Sequence, residues 1–503
     1  MRILEIILIL INFLTLFLSL KKWSKVIRRG VAGVNLSVFL IHGILEGLRY
    51  QMIFSYIFVV IFVIYTLVKT SDKFLKIKIP KGIKIIAVSL VFVSLIITSI
   101  LSYVLPVFEI PKPTGSYNVG VNYLHLVDEN RNDPFLDKST KKRELMVKVY
   151  YPANKDDSKQ FERYFNNSSE LIKQFAVGYG MPDFIFSHLN LVKTNSKIGL
   201  EISDKEQNYP VILFSHGGGT SMEVQTSQCE DLASQGYIVA AIDHTYVSKA
   251  TIFPDRAVSE REATTNFNIV EPAEIITEIM TDDSQFVIDS LIEMNNGKIT
   301  SIFKGRLDLN RIGAIGHSVG GATAYNLAIN DSRVRAAINL DGRVFITPKE
   351  NLENMAPFLM ITNDKDIQMI ANGEGFLKKF EDLTDEERKN IISMYGSMEN
   401  YNEAYRKEHE NTSGLIRVLK ESENLFSIEG SNHMKFTDIG LFIDSDQLRE
   451  LIGISGKTTP ERCLNITKSV TSAFFEMHLK EEEKGQLNIL TKEYSELKKV
   501  ELK

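Results

Sequence analysis

The sequence predicts an α/β fold, a doubly wound and mainly parallel sheet, preceded by an α-helical transmembrane region. Three observations predict it: short continuous apolar runs downstream, helix-period stretches between them, and an abrupt change of composition near residue 106. The 503 residues suffice for two or three domains at roughly 150 residues each. Residues 1–106 hold 13 of the 58 basic side chains against Glu5, Glu46 and Asp72, a sum of +10, so residues 107–503 sum to −15. An acidic downstream part with no basic tract excludes a nucleic-acid partner, whose backbone needs clustered Lys and Arg. Cys229 and Cys463 are too few for a disulfide framework and lack the C-x-x-C spacing of a zinc or redox site, so they read as two unpaired thiols.

The amino-terminal region, residues 1–106, reads as four spans at about 3–20, 31–48, 52–68 and 85–105. The first is broken only by Glu5, Asn12, Thr15 and Ser19, and at ~1.5 Å per residue it approaches the ~30 Å hydrocarbon core. Lys21, Lys22 and Trp23 follow it in place of a small-residue cleavage site, so it reads as retained rather than as a signal peptide. The second is the weakest, since it holds Asn35, His42 and Glu46; His42 and Glu46, one turn apart, read as a helix–helix contact. Loop 21–29 carries five basic residues and loop 69–84 carries six, which places both on the cytoplasmic side. The expectation is a multi-pass protein of the cell membrane with everything from residue 107 on the extracytoplasmic side.

Beyond Pro106, the segment Ile110, Pro111, Lys112, Pro113, Thr114, Gly115 stops the last span. Residues 145–151 alternate apolar and polar, as an early strand does. Runs at 211–214, 238–242, 312–315, 334–340, 358–361 and 425–428 are continuously apolar, hence strands covered by helices on both faces. Helix-period stretches at 229–235, 273–294, 321–329 and 460–480 complete a βαβα order over a domain at 107–503. Residues 366–422 separate two strands by too much chain for a plain loop, and Thr384 with Glu387 has capping-box spacing, so a helical cap insertion is expected there, placed to act as a lid.

Gly316, His317, Ser318, Val319 and Gly320 follow one of these strands and precede a helix, which is the nucleophile elbow of α/β-hydrolases. Glycines are needed there because the turn strains the serine and packs helix closely on strand. A serine hydroxyl is a weak nucleophile until a base takes its proton. Of the histidines after Ser318, His433 stands in a strand-end loop, while His409 and His478 fall in charged or helical stretches. His317 reads as a neighbour that packs or hydrogen-bonds at the elbow. The acid is Asp341 or Asp364, both at strand ends, and spacing does not choose between them. Two backbone N–H donors must hold the oxyanion, and Val319 with Gly218 of the His216, Gly217, Gly218, Gly219 loop are the candidates. No phosphate-loop or dinucleotide fingerprint follows those glycines, and no cofactor and no metal is implied.

At these residues the chain resembles the plasma-type platelet-activating factor acetylhydrolases (isoform II), within the α/β-hydrolase superfamily. The resemblance rests on Phe214 to Gly219, Asp231 to His244, Gly316 to Gly321, Leu340 to Gly342 and Gly430 to His433, and extends to Pro113 to Gly120 and Val147 to Pro152. It implies calcium-independent removal of short or oxidised acyl chains from phospholipids. Carried over, the nucleophile falls on Ser318, the acid on Asp341, the base on His433 and the oxyanion donors on Gly218 and Val319, which favours Asp341 over Asp364. The chain departs from that family in having Gly218 where leucine is usual, in a longer segment between Asp341 and His433, and in its membrane region. The expected function is a membrane-anchored serine ester hydrolase acting on a lipid or lipophilic ester through an acyl-enzyme. The alternatives are a general carboxylesterase or thioesterase on non-lipid esters, and a membrane sensor or scaffold with an inert hydrolase-like module.

Overall fold

Strands rich in Val, Ile and Ala, apolar on both faces, require helices on either side of the sheet they build. In the computed structural model the strands are β1 (Asn118–Asn132), β2 (Lys142–Ala153), β3 (Phe161–Arg163), β4 (Lys193–Ile198), β5 (Tyr209–Ser215), β6 (Ile238–Asp243), β7 (Ala250–Ile252), β8 (Ala257–Ser259), β9 (Leu307–His317), β10 (Val334–Leu340), β11 (Phe358–Asn363), β12 (Leu425–Ile428) and β13 (Leu497–Lys499). The structure describes all residues except 22, 72–79, 138–139, 167, 265–271, 347–351, 374, 376, 482–485 and 503, so Lys22 and much of the basic loop 69–84 lie outside the described residues. Each run read as a strand falls in β2, β5, β6, β9, β10, β11 or β12.

β7 and β8 pair separately; the other strands form one sheet in the order β13-β12-β11-β10-β9-β5-β6-β2-β1-β4-β3. From β6 through β5, β9, β10 and β11 to β12 the neighbours are parallel, while β2 is antiparallel to β1 and β6, and β13 to β12. The winding reverses at β5, between β6 and β9, and the crevice at such a reversal is where open α/β sheets bind ligands.

Side chains alternate between the two faces of each strand. One face carries Val239, Ala241, Ile338 and Leu340 into a core with Leu232 and with Val470, Phe474 and Phe475. The opposite face carries Ile238, Ala240, Ala314 and Ala337 into a core with Ile288, Leu291, Tyr325, Leu327, Leu415 and Leu419. Among the described residues the stretch 366–422 holds the end of the helix Asp364–Ala371 and the helices Asp385–Tyr395 and Met398–Ser422, and the expected capping box is present: Glu387 N donates to Thr384 Oγ1 at 3.2 Å and Thr384 N to Glu387 Oε2 at 2.7 Å. It is not wholly an insertion, however. The end of the helix Met398–Ser422 puts Leu415, Val418 and Leu419 into the sheet core, so it serves as the crossover between β11 and β12. Its charged front, with Arg406, Lys407, Glu408 and Glu410, masks that apolar stripe in the sequence.

The chain divides into two compact units. One comprises Met1–Glu109 together with Arg163–Val192 and Leu441–Arg449, and the other holds the rest. The boundary expected at residue 106 is therefore incomplete, because two later segments join the amino-terminal unit. Within that unit, Gln51 Nε2 donates to Ile185 O at 2.7 Å and Asp444 N to Val104 O at 2.8 Å. Sequence order gave no sign of either contact.

The amino-terminal unit contains α1 (Ile3–Leu18), α2 (Lys25–Leu45), α3 (Ile53–Thr70) and α4 (Lys81–Val104). Among the described residues, Tyr50–Thr70 and Lys81–Val104 are long and apolar enough to cross a membrane. This corrects the expected four spans to two candidates: α1 has 16 residues, and α2 carries Lys25, Arg28, Arg29, Asn35 and His42. All four helices nonetheless share one pattern. Glu5, Asn12, Asn35, Ser55, Thr98 and Ser102 are buried, while Ile3, Leu14, Ile44, Ile61 and Leu90 are exposed. The interior polar groups pair across helices, with Asn12 Nδ2 donating to Ser55 Oγ at 2.6 Å and Asn35 Nδ2 to Thr15 Oγ1 at 2.9 Å. His42 bonds Glu46, one turn on, at 3.1 Å and Tyr56 of α3 at 2.8 Å, the second a contact between helices.

Candidate active site

β9 ends at His317 and the helix Val319–Asn330 begins two residues later, so Ser318 alone makes the turn, at φ 57° and ψ −125°. A non-glycine residue at positive φ is strained and persists only where its surroundings over-determine it. The flanking glycines do so here. A Cβ on Gly316 would stand 2.1 Å from Gly320 O, and one on Gly320 would stand 2.2 Å from Ser215 O.

Asp341 follows β10 directly, also at φ 57°, and the two strained turns are tied together, since Ser318 N donates to Leu340 O at 3.0 Å. The Asp341 carboxylate is buried. Its Oδ1 accepts from Thr362 Oγ1 at 2.6 Å and from Asn363 N at 2.9 Å, and its Oδ2 accepts from Asn363 Nδ2 at 2.8 Å. His433 Nδ1 reaches the same Oδ2 at 2.6 Å. Burial pushes this carboxyl up, but the His433 bond and charge and the Thr362 and Asn363 donors outweigh it and hold it below its ordinary value. With Nδ1–H donated to a carboxylate, the imidazole keeps its lone pair on Nε2, the form a general base requires.

Asp364, the other strand-end carboxylate, does not touch the imidazole. Its Oδ2 accepts the Gly430 N–H at 2.6 Å, bracing the loop that carries His433. The loop after β5 approaches the elbow closely: a Cβ on Gly217 would lie 3.1 Å from Ser318 Cβ, while Gly219 adopts φ +65° and donates its N–H to Val247 O at 2.9 Å. A Cβ on Gly218 would meet only Val319 Cγ1, at 3.7 Å, so these two residues are neighbours. Among the described residues, no hydrogen bond takes the N–H of Gly218 or of Val319.

Residue spacing missed the polar network behind this loop. His244 Nε2 meets Ser215 Oγ at 3.1 Å, His244 Nδ1 meets Asp283 Oδ2 at 3.0 Å, and His244 N donates to His216 Nε2 at 3.1 Å. Arg143 grips Asp283 with Nε at 3.1 Å and Nη2 at 2.7 Å, and both side chains are fully buried. Burial raises the Asp283 carboxyl, but the Arg143 charge and the bonds from His244 and Arg143 outweigh it and hold it far below the carboxylate range. Asp283→Asn removes the nearer of the two buried carboxylates that face Arg143, leaving Asp133 at 3.3 Å, and should cost about 3 kcal/mol at pH 7. A carboxyl depressed in the fold stabilises fully above its unfolded value and loses that contribution as acid titrates the folded group. The wild-type advantage in urea midpoint should therefore shrink below about pH 4. Urea unfolding of both proteins at pH 7 and pH 3.5 checks this.

The motifs that carry the family resemblance also meet in space: Thr114 N donates to Asp231 Oδ1 at 2.8 Å and Gly115 N to Ser234 Oγ at 2.9 Å. Asp231 and Ser234 thus dock the start of the hydrolase unit and take no part in the site.

Comparison with known proteins accords with this geometry. The family model for platelet-activating factor acetylhydrolase, isoform II, matches residues 104–496. The platelet-activating factor acetylhydrolase of Bos taurus is 26% identical over 379 residues, covering 68% of this chain and 80% of that protein. The "Probable 1-alkyl-2-acetylglycerophosphocholine esterase" of Arthroderma benhamiae is 24% identical over 428 residues, covering 80% and 97%. Among solved structures, a ferulic acid esterase from Streptomyces cinnamoneus superposes with a TM-score of 0.55 at 25% identity, covering 78% of this chain and 99% of that one. A family model that spans most of the sheet, the elbow and the His433 loop leaves one conclusion: this α/β-hydrolase is a carboxylic ester hydrolase and belongs to the platelet-activating factor acetylhydrolase, isoform II, family.

Proposed function

We propose that the chain is a membrane-anchored serine hydrolase that removes short acyl groups from phospholipids through an acyl-enzyme. The observation that carries the mechanism is the 2.6 Å bond from His433 Nδ1 to Asp341 Oδ2 in a site whose serine is held at φ 57°. Ser318 Oγ attacks the ester carbonyl while His433 Nε2 takes its proton, and Asp341 stabilises the imidazolium. The N–H groups of Gly218 and Val319 receive the oxyanion. His433 then protonates the departing alcohol, and water, activated by the same imidazole, releases the acyl group and restores the Ser318 hydroxyl.

The substrate class rests on the relatives named as platelet-activating factor acetylhydrolase and as "Probable 1-alkyl-2-acetylglycerophosphocholine esterase". The ferulic acid esterase likeness favours a second reading, a carboxylesterase on non-lipid esters. Anchoring rests on the amino-terminal unit, whose buried polar and exposed aliphatic side chains suit a lipid solvent and whose α3 and α4 are the helices proposed to cross it. Lys69, Lys81 and Lys84 lie at the ends that α3 and α4 share, which supports a cytoplasmic side for those ends and an outer side for residues 107 onward.

The test uses membranes bearing the full chain, with and without prior fluorophosphonate treatment. A short-acyl sn-2 phospholipid, a long-chain diacyl phospholipid and p-nitrophenyl esters are compared. Fluorophosphonate-sensitive release from the short-acyl phospholipid is expected, and release from the p-nitrophenyl esters alone would move the assignment to the second reading. Cys229 and Cys463 are buried and make poor reporters of sidedness. Asp157→Cys, at an exposed position, should instead react with an impermeant maleimide on intact cells; protection there would reverse the topology.

A further inference from the structure

His317 is fully enclosed at the elbow, and its two ring nitrogens face the two loops that must act together. Its Nε2 lies 2.8 Å from the main-chain oxygen of His433, and the two rings are 4.5 Å apart between centroids. A carbonyl oxygen only accepts, so this bond requires the proton on Nε2 and leaves a lone pair on Nδ1. Nδ1 is buried without a hydrogen-bond partner among the described residues, and a Cβ on Gly217 would lie 3.0 Å from it. Burial, with the nearby His433 charge, lowers the His317 ring to about 3, so it stays neutral and keeps this tautomer at working pH.

We propose that His317 is a positioning residue: it fixes the main chain of His433 against the elbow and sets the approach of the base to Ser318. This rests on the reading of His433 as the base. His433 follows the short strand β12 and opens the single 3-10 turn His433–Phe436, capped by Asn432, so a one-turn element carries the base. Asp341 holds Nδ1 and Asp364 holds Gly430, three residues upstream. The His317 bond supplies a hold at His433 itself. An unpartnered buried Nδ1 is a poor way to stabilise a fold, and a residue kept only for packing would be better served by a hydrocarbon ring.

The variants separate positioning from packing. His317→Phe fills the space without a donor, whereas His317→Gln keeps an N–H donor that can reach the His433 carbonyl. The full chain in detergent is assayed with a p-nitrophenyl ester. The expected result is a loss in kcat of about 10–100-fold for His317→Phe at nearly unchanged KM, the scale of a displaced catalytic group, with most of the rate restored in His317→Gln. The melting temperature of His317→Phe should equal or exceed that of the wild type. Wild-type kcat in His317→Phe, or equal losses in the Phe and Gln variants, would overturn the proposal. His433→Ala is measured alongside. If it keeps wild-type activity, the base assignment falls and the positioning role with it; if it is inactive while His317→Phe is fast, the positioning role alone falls.

Discussion

Ser318→Ala lowers kcat for ester hydrolysis about 10⁶-fold, with KM changed little, and abolishes fluorophosphonate labelling. The size follows from what the elbow does. The strained backbone at φ 57° presents the Ser318 hydroxyl at a helix amino terminus, beside the Gly217 to Gly219 loop. Alanine keeps the backbone turn, so the proposed oxyanion donors, Gly218 N and Val319 N, survive. A residual rate of about 10³–10⁴ over water should remain from them. The measurement is the initial rate with a p-nitrophenyl ester, together with the labelled band in membranes. A rate within tenfold of wild type would mean that another residue is the nucleophile.

The legible part of this site was the part written in consecutive residues. The elbow needs small residues at Gly316 and Gly320 around one serine, and a strand before it and a helix after it, so sequence and geometry carry the same information there. The acid was not local in this sense. Asp341 and Asp364 both end strands of one parallel sheet, and spacing offers each to the imidazole equally, so that only the family resemblance favours Asp341. The difference lies in side-chain partners: Thr362 and Asn363 surround Asp341 beside His433, whereas the Asp364 carboxylate turns to Gly430 N. The Arg143, Asp283 and His244 network was illegible because Asp283 lies 140 residues from Arg143 and 39 from His244, and a buried Arg looks like any other in a sequence. The amino-terminal helices show the converse. Their apolar runs were plain, but the division into two compact units depends on contacts from Arg163–Val192 and Leu441–Arg449 that no periodicity records.

Asp341→Asn lowers kcat by about 10⁴-fold, while Asp364→Asn lowers it by less than about tenfold. The two substitutions are chemically identical and lie at equivalent ends of adjacent parallel strands, so their difference isolates the partner each carboxylate serves. At Asp341, Oδ1 is already occupied by Thr362 Oγ1 and Asn363 N, which fixes the orientation of any amide placed there. An asparagine in that position keeps its oxygen toward those donors and turns its NH₂ toward His433 Nδ1. The imidazole must then accept on Nδ1 and carry its proton on Nε2, the wrong tautomer for taking a proton from Ser318. The imidazolium also loses the buried negative charge that stabilises it. At Asp364 the acceptor faces a main-chain N–H, and an amide oxygen accepts from Gly430 as a carboxylate does, so the His433 loop keeps its brace. Both variants are assayed as the full chain on one ester, with His433→Ala as the reference for loss of the base. Asp341→Asn should approach His433→Ala and Asp364→Asn should approach the wild type. Equal losses would mean that the imidazole exchanges between the two carboxylates, and a reversed order would make Asp364 the acid.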